Sequence, residues 1–171
     1  AVAEEFVEVN NVDELQEAAD CDGRLQILGG GTNLILLDHI PGRTIRVCLK
    51  EKSVLGNSRL RVGAGENWND VVDWSLELGL GGLENLAFIP GMVGAAPYQN
   101  IGAYGRELSD VLDCVEVFDL TTRSLSRIER DECGFDYRDS RFKSNDSGRF
   151  VITAVELDLS SVPVDLSYPG L

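Results

Sequence analysis

The chain has 171 residues with a net charge of −14, 43% hydrophobic and 26% charged residues, a composition that indicates a globular protein and excludes a disordered one. Nucleic acid and anionic membrane surfaces are disfavoured as partners, because both are bound through positive charge. No apolar run approaches the roughly 20 residues of a membrane-spanning helix and the N-terminus lacks a signal-peptide pattern, so we expect a protein of the cytoplasm. A monomer is expected separately.

Residues 1–50 predict a first, small α/β unit. Their apolar runs predict three strands, and a pair of asparagines can cap one helix. The strands are expected at Phe6–Val9, residues 24–28 and residues 44–49, and the helix from Asn10-Asn11 to about Ala19. The second strand is expected to be buried, and Pro41-Gly42 is expected to form the turn before the third.

Residues 51–160 predict a second unit, built from strands around one amphipathic helix. The helix is expected to begin after the N-cap Asn67, to bury Trp68 and Leu76, and to end at Gly79. Strands are expected at residues 59–62, 111–120, 124–128 and 150–159. Alternating apolar and acidic residues in the last strand predict one solvent-facing side. The mixed order of elements predicts an α+β fold, and residues 161–171 predict the start of a linker.

Metal binding and histidine catalysis are not expected. The four cysteines, at positions 21, 48, 114 and 133, form no CxxC pair, so we expect free thiols and no metal. Cys114 lies in an apolar run and is expected in the core. The lone histidine, His39, is expected in a loop without a catalytic role.

Three successive glycines follow the second predicted strand, in Gly29-Gly30-Gly31-Thr32-Asn33. Backbone without side chains can form a tight turn, or a nest of N–H groups that accepts phosphate oxygens. Thr32 and Asn33 would add side-chain donors. The segment is not a P-loop, because no Gly-Lys-Ser/Thr follows, and Leu34 stands where a dinucleotide fingerprint needs its third glycine. The turn and the phosphate nest both stay open at this point.

A second segment, residues 86–105, contains no charged side chain and is rich in glycine and alanine. Small residues let the backbone approach a flat ligand closely. The adjacent amides of Gln99 and Asn100 offer donors and acceptors for a heteroaromatic edge. A packing corner of small residues is the alternative, and we favour a ligand.

Charged and aromatic residues alternate in a third segment, Phe135–Lys143. Arg138 could hold a carboxylate or phosphate through two parallel hydrogen bonds. A surface salt bridge to Asp136 or Asp139 explains the pattern equally well, so the segment alone does not separate the two.

Five segments, taken in order, closely resemble the UDP-N-acetylenolpyruvoylglucosamine reductases, the FAD enzymes of bacterial peptidoglycan synthesis. They are GGGTNL at 29–34, GAGENW at 63–68, GLENLAFIPG at 82–91, QNIGAYG at 99–105, and YRDS at 137–140 with Phe142-Lys143. The likeness extends from about Phe6 to Leu171. It implies a two-lobed α+β FAD-binding domain of the vanillyl-alcohol-oxidase/PCMH type, with residues 1–50 and 51–160 as subdomains.

The resemblance also implies the roles of particular residues. Those implied to bind FAD, non-covalently, are Gly29, Gly30, Gly31, Thr32, Asn33, Leu34, Ile89, Pro90, Ala95, Ala96, Gln99, Asn100, Ile101, Gly102, Ala103 and Ile152. Contacts with a nucleotide-sugar substrate are implied for Tyr137, Arg138 and Tyr168. In the family, NADPH reduces FAD and the flavin passes a hydride to the enol ether of the substrate. Arg138 is implied to be catalytic, because negative charge develops toward the substrate carboxylate during that transfer.

The family's proton-donating serine and a supporting glutamate belong to a later substrate-binding domain, and these 171 residues contain neither segment. Ser140 belongs to the Arg138 motif and is not that serine. We therefore expect a chain that binds FAD and has little or no turnover. Two alternatives stay open: another flavoprotein of the same fold, and a non-catalytic module that has lost FAD.

Overall fold

The computed structural model describes residues 1–35, 38–56 and 58–159, and its N-terminal part is a three-stranded parallel sheet with one helix. Its elements are β1 (Val2–Val9), α1 (Val12–Ala18), β2 (Leu25–Leu28) and β3 (His39–Val47). The strand order is β1-β3-β2, so β3 is central and β2 lies at an edge. All three expected strands and the expected helix are therefore present.

The remainder of the described chain is organised around a five-stranded antiparallel sheet. Its elements are β4 (Lys52–Val54), β5 (Arg59–Gly63), α2 (Trp68–Glu77), β6 (Gly102–Ala103), β7 (Arg106–Glu107), β8 (Leu112–Asp119), β9 (Ser124–Glu129) and β10 (Phe150–Asp158). The order in the large sheet is β4-β5-β10-β8-β9, and β6 and β7 form a separate ribbon. The mixture of parallel and antiparallel sheets with few helices confirms the α+β prediction.

The two sheets share one hydrophobic core. Val9, Leu15 and Ile45 from the first unit belong to the same buried cluster as Trp68 and Leu157 from the second. The domain limits of 1–50 and 51–160 stay a prediction, and the expected linker at 161–171 lies outside the described residues. No helix in the described part of the chain has both the length and the apolar character needed to cross a membrane.

Both helices begin at the predicted asparagine caps. The Asn11 side chain accepts a hydrogen bond from the backbone N–H of Glu14 at 2.9 Å, and that of Asn67 accepts from Asn69 at 2.9 Å. Gly79 follows α2 with φ +72°, the left-handed conformation that ends a helix. The expected burial of Leu76 is wrong, because 46% of its surface is exposed.

The predictions of a turn at Pro41-Gly42 and of a loop at His39 are wrong, because β3 already begins at His39. The pairing of β3 with β1 shifts here, so that Pro41-Gly42 stands opposite Glu4 as a bulge. Gly42 has φ +79°, and a Cβ at this position would overlap the carbonyl oxygen of Arg24. The Pro-Gly pair indicated special backbone geometry, which a bulge requires as much as a turn does.

Strand burial differs from expectation at two places. β2 was expected to be buried but is half-buried with Ile27 39% exposed, because it lies at the sheet edge. β10 was expected to have one solvent-facing side, yet Val151–Leu157 is buried throughout. The acidic Glu156 within it forms ion pairs with Arg59 at 2.9 Å and Arg127 at 2.8 Å. Charge pairing with arginines of two other strands thus lets a carboxylate occupy the centre of the sheet.

Asp119, at the end of β8, gives the fold an acid-sensitive contact. Hydrogen bonds from Arg149 (Nη2 at 2.7 Å), and next from the backbone N–H groups of Thr121 and Thr122, hold the pKa of Asp119 below its ordinary 3.8. A carboxylate whose pKa is lower in the folded than in the unfolded chain stabilises the fold at pH values above its ordinary pKa. This stabilisation is lost as the pH falls through the pKa of the group in the folded chain.

We therefore expect Asp119→Asn to lower the free energy of unfolding at pH 7, and this difference from the wild type to shrink as the pH falls below 3.8. Urea unfolding at neutral and acid pH measures both quantities. Asp131→Asn is the matched control, because Asp131 pairs with Arg130 at the surface with 86% of its side chain exposed. A stability difference for Asp119→Asn that does not change with pH contradicts the assignment.

Candidate functional site

The glycine loop, residues 29–33, follows β2 directly and lies at the surface. Gly31 adopts φ +69°, which reverses the chain direction locally. Among the described residues, no backbone N–H of residues 29–33 donates a hydrogen bond to another protein group. The loop therefore offers a run of backbone donors with no partner in the described part of the chain, and this is the chemistry that an anionic phosphate requires.

The uncharged segment packs directly against this loop. The Thr32 hydroxyl donates to the carbonyl oxygen of Pro90 at 3.3 Å, and Asn33 Nδ2 donates to Gln99 Oε1 at 2.9 Å. A Cβ on Gly30 would lie 3.4 Å from Met92 Cγ, so the Met92 side chain lies against the loop. The structure thus brings together two segments that are 58 to 66 residues apart in sequence.

The uncharged segment is held in turn by the centre of the large sheet. The N–H of Gly94 donates to the carbonyl oxygen of Ala64 at 2.9 Å, and the N–H of Ala64 donates to Thr153 at 2.9 Å. A Cβ on Gly94 would lie 2.7 Å from that of Ala64, so only glycine fits here without a shift. Ile152 precedes Thr153 in β10, which brings this predicted residue close to the same segment.

The residues predicted to bind FAD divide into two groups by burial. The accessible ones are Gly29, Gly30, Gly31, Thr32, Asn33, Leu34, Ile89, Pro90, Ala95, Gln99 and Ala103. The buried ones are Ala96, Asn100, Ile101, Gly102 and Ile152. The first group is accessible to a ligand, whereas the second is enclosed by protein. Each individual contact with FAD stays a prediction.

The expected hydrogen bond from Asn100 to a heteroaromatic edge is not available. Asn100 Nδ2 donates to Glu107 Oε2 at 2.7 Å and to the carbonyl oxygen of Asp136 at 3.3 Å. Its Oδ1 accepts from the backbone N–H of Ser109 at 3.1 Å. Both N–H groups of the amide are therefore used inside the protein. Sequence alone did not indicate this, because the partners lie in distant segments.

Arg138 lies in a turn closed by reciprocal backbone hydrogen bonds between Asp136 and Asp139, each 3.1 Å long. Its guanidinium donates to the carbonyl oxygen of Gly102, at the end of the uncharged segment. It also lies 6.0 Å from the ring centre of Tyr137, within range of a cation–π contact. The third predicted segment is thereby joined to the second.

The guanidinium of Arg138 has no carboxylate partner among residues 1–35, 38–56 and 58–159, so the predicted alternative of a salt bridge to Asp136 or Asp139 is wrong. The chain has twelve arginines, and only Arg24 and Arg138 lack an ion pair within the described part. In a chain with an excess of carboxylates, an arginine left unpaired beside a cavity is suited to bind an external anion.

A cavity of about 440 Å³ opens beside Arg138. Its lining is formed by Gly102, Ala103, Tyr104, Gly105, Arg106, Glu107, Asp110, Tyr137 and Arg138. Tyr137 is 79% exposed, so its ring is free to contact a bound molecule. The third predicted substrate residue, Tyr168, lies outside the described residues.

One group of potential metal ligands occurs away from this cavity. Asp113, Cys114 and Glu156 lie within 4.8 Å of one another. Both carboxylates pair with Arg59 and Arg127, which already neutralise their charge. Burial raises the pKa of the Cys114 thiol to about 12, so it stays protonated and is a poor ligand. As expected, Cys114 belongs to the core, and all four cysteines are free.

Sequence reasoning missed Met92 and the carbonyl oxygen of Tyr98. The Met92 side chain lies against the glycine loop, and the Tyr98 carbonyl accepts a hydrogen bond from Ser140 Oγ at 2.7 Å. Met92 lies in the uncharged segment, directly after the resemblance segment 82–91, and this position was a usable signal. The backbone acceptor left no signal in the sequence.

A profile of the family described as FAD binding domain matches residues 3–124. Curated relatives named UDP-N-acetylenolpyruvoylglucosamine reductase are also similar. That of Alcanivorax borkumensis is 47% identical over 152 residues, which is 86% of this chain and 44% of the relative. That of Polynucleobacter asymbioticus is 41% identical over 167 residues, or 93% and 48%. The chain thus spans somewhat less than half the length of the curated relatives that it matches.

Two solved structures are similar in fold. The UDP-N-acetylenolpyruvylglucosamine reductase (MurB) of Thermus caldophilus superimposes with a TM-score of 0.77 and 32% identity, covering 90% of this chain and 55% of that one. The 6-hydroxy-D-nicotine oxidase of Arthrobacter nicotinovorans gives a TM-score of 0.67, covering 91% and 36%; its 19% identity indicates the fold alone. The predicted family resemblance and the two-lobed α+β fold of the vanillyl-alcohol-oxidase/PCMH type are confirmed.

Proposed function

This chain belongs to the FAD binding domain family, and on that premise we propose that it forms the FAD-binding part of a reductase that acts on UDP-N-acetylenolpyruvoylglucosamine in peptidoglycan synthesis. The observation that carries the proposal is the meeting of three distant segments at one place. The glycine loop contacts the uncharged segment through Asn33 and Gln99 at 2.9 Å, and Arg138 contacts the same segment at Gly102.

The glycine loop fits the pyrophosphate of FAD. A net charge of −14 gives no general attraction for a dianion, so local donors must hold it. The N–H groups of residues 29–33, which have no partner among residues 1–35, 38–56 and 58–159, supply such donors. Three of these five residues are glycines, so no side chain competes there. The hydroxyl of Thr32 and the amide of Asn33 fix the loop against Pro90 and Gln99.

When bound, FAD supplies the hydride chemistry, for which we propose NADPH as the source of electrons. The residues of this chain bind and orient the reactants. The small residues from Ile89 to Ala103 leave room for a flat ring system against the backbone. Arg138, with no carboxylate partner among the described residues, is proposed to hold the substrate carboxylate. This contact strengthens as negative charge develops there, which is the condition for catalysis.

Further contacts with the nucleotide-sugar substrate are proposed for Tyr137, on the basis of its exposure beside the cavity, and for Tyr168, on the basis of the sequence motif alone. The proposed enzyme is monomeric and cytoplasmic. The proposed link to cell-wall synthesis rests on the relatives named UDP-N-acetylenolpyruvoylglucosamine reductase.

Titration of the chain with FAD, followed by visible absorption and equilibrium dialysis, tests the proposal. We expect saturable binding of one FAD per chain. Riboflavin is the matched control ligand, because it has the same ring system without phosphate, and we expect it to bind at least ~10-fold more weakly, or ~1.4 kcal/mol. A chain that binds no FAD favours a non-catalytic module. Equal affinity for riboflavin contradicts the assignment of the glycine loop.

A further inference from the structure

The turn that carries Arg138, residues 136–140, is joined to the uncharged segment by three hydrogen bonds. Ser140 Oγ donates to the carbonyl oxygen of Tyr98 at 2.7 Å, Asn100 Nδ2 donates to that of Asp136 at 3.3 Å, and Arg138 donates to that of Gly102. The first two bonds act on opposite ends of the turn. They therefore fix the backbone on both sides of Arg138 relative to the uncharged segment, which belongs to the candidate FAD site.

This turn needs such support, because Arg138 has φ +54°. A left-handed backbone is uncommon for residues other than glycine, and it persists only where the surroundings determine it. The carbonyl oxygen of Arg138 itself accepts a hydrogen bond from Lys143 Nζ at 2.7 Å. The place of the guanidinium is thus set by contacts around the turn and by no ion pair among the described residues.

Asn100 is the centre of these contacts. It is 1% exposed and takes a left-handed backbone of φ 40° and ψ 65°, which asparagine tolerates better than most residues. Its side chain joins Glu107, Ser109 and Asp136, so one amide connects the segments on both sides of the cavity. With both N–H groups used, Asn100 acts on the protein and offers no donor to a ligand.

We propose that Asn100 is a positioning residue, which holds the Arg138 guanidinium beside Gly102 in the place where it receives an anion. The inference rests on the proposed function, in which that anion is the substrate carboxylate. Loss of the bond from Asn100 to Asp136 releases one end of the turn, and the strained backbone at Arg138 then relaxes. The guanidinium moves even where the rest of the fold stays intact.

Two variants separate positioning from general stability. Asn100→Asp removes both donors, keeps the acceptor for Ser109 and places a second carboxylate against Glu107. Combining it with Glu107→Gln restores a hydrogen bond between these two side chains, but leaves the carbonyl oxygen of Asp136 without its donor. Asn69→Asp is the matched control, because Asn69 bonds Asp73 and the N–H of Phe88 and has no hydrogen bond to the Arg138 turn.

The readout is the NMR order parameter of the Arg138 side-chain Nε–Hε group, measured without FAD. The signal of this group is assigned by its absence from the spectrum of Arg138→Lys. We expect a value near the ~0.85 of rigid backbone groups in the wild type and in Asn69→Asp, and below ~0.6 in both Asn100 variants. The double variant should recover the melting temperature that the single variant loses, but not the order at Arg138.

A merely structural role predicts that order and melting temperature recover together. A rigid Arg138 in the double variant, or a mobile one in the wild type, overturns the proposal. Because no FAD is present in this measurement, its result is independent of whether the FAD titration succeeds. A failure of the proposed function is therefore distinguishable from a failure of the positioning role.

Discussion

Gly30→Val is expected to weaken FAD binding at least ~100-fold, equivalent to ~2.8 kcal/mol, without unfolding the chain. The fold tolerates a side chain here, since a Cβ would meet only Met92 Cγ at 3.4 Å and more distant atoms of Met92 and Thr32. A branched side chain in the middle of the glycine loop instead obstructs the backbone N–H groups that are proposed to hold the pyrophosphate. Absorption titration with FAD measures the affinity, and thermal unfolding checks the fold.

Gly56→Val is the matched control for this variant, because a Cβ at Gly56 meets nothing within 4 Å and the residue lies outside the three segments of the site. It should bind FAD as the wild type does. Wild-type affinity in Gly30→Val contradicts the assignment of the loop. If Gly30→Val unfolds and Gly56→Val does not, Gly30→Ala takes its place in the test. For Gly30→Ala we expect a smaller loss of FAD affinity.

Trp68→Ala is expected to lower the free energy of unfolding by ~3–5 kcal/mol, the typical cost of removing a large buried aromatic side chain. Trp68 is 1% exposed, and its Nε1–H donates to the carbonyl oxygen of Leu86 at 2.9 Å. The substitution thus leaves both a cavity and a buried acceptor without its donor. Urea unfolding of the two proteins measures the difference.

The same variant tests whether Trp68 has a role in stacking on a ligand. Because the side chain is buried in the core, the FAD affinity of the folded fraction should stay within about a factor of two, or ~0.4 kcal/mol, of the wild type. Trp74→Ala is the matched control: Trp74 is only partly buried, with Lys52 Nζ 5.5 Å from its ring centre, so its loss should cost less stability. A small loss of stability with a large loss of FAD affinity in Trp68→Ala contradicts the core assignment.

The local part of the fold was predictable from sequence. The caps at Asn11 and Asn67, and the helix end at Gly79, depend on hydrogen bonds and backbone angles within a few residues, which residue type largely determines. In the second unit, β5, β8, β9 and β10 followed from apolar runs of ordinary length, whereas the two- and three-residue strands β4, β6 and β7 were not predicted. The hairpin of β8 and β9 followed for the same reason, because its two strands are adjacent in sequence.

The place of each strand in its sheet was not predictable in this way. β10 alternates apolar and acidic residues, which normally indicates one solvent-facing side, yet it is central. Glu156 is tolerated there because Arg59 and Arg127, from other strands, pair with it. Such partners are 29 to 97 residues away in sequence, and no local pattern reveals them.

The candidate site, like the fold, was predictable from sequence only in part. The glycine loop, the uncharged segment and the Arg138 motif were recognisable because their composition and order are unusual. The bonds between them were not, since Asn33 with Gln99 and Asn100 with Asp136 are long-range contacts of side chains that have many possible partners. For this reason the sequence predicts a ligand contact for Asn100, although its amide binds the protein.

The central claim is that the backbone N–H groups of residues 29–33 hold the FAD pyrophosphate. Nuclear magnetic resonance of the ¹⁵N-labelled chain with FAD tests it most directly, through the amide signals of these residues and the ³¹P signals of the ligand. The account predicts large shifts of the loop amides at saturation, with couplings between their nitrogens and the FAD phosphorus nuclei. Bound FAD with unshifted loop amides and ³¹P signals at their free positions would contradict it.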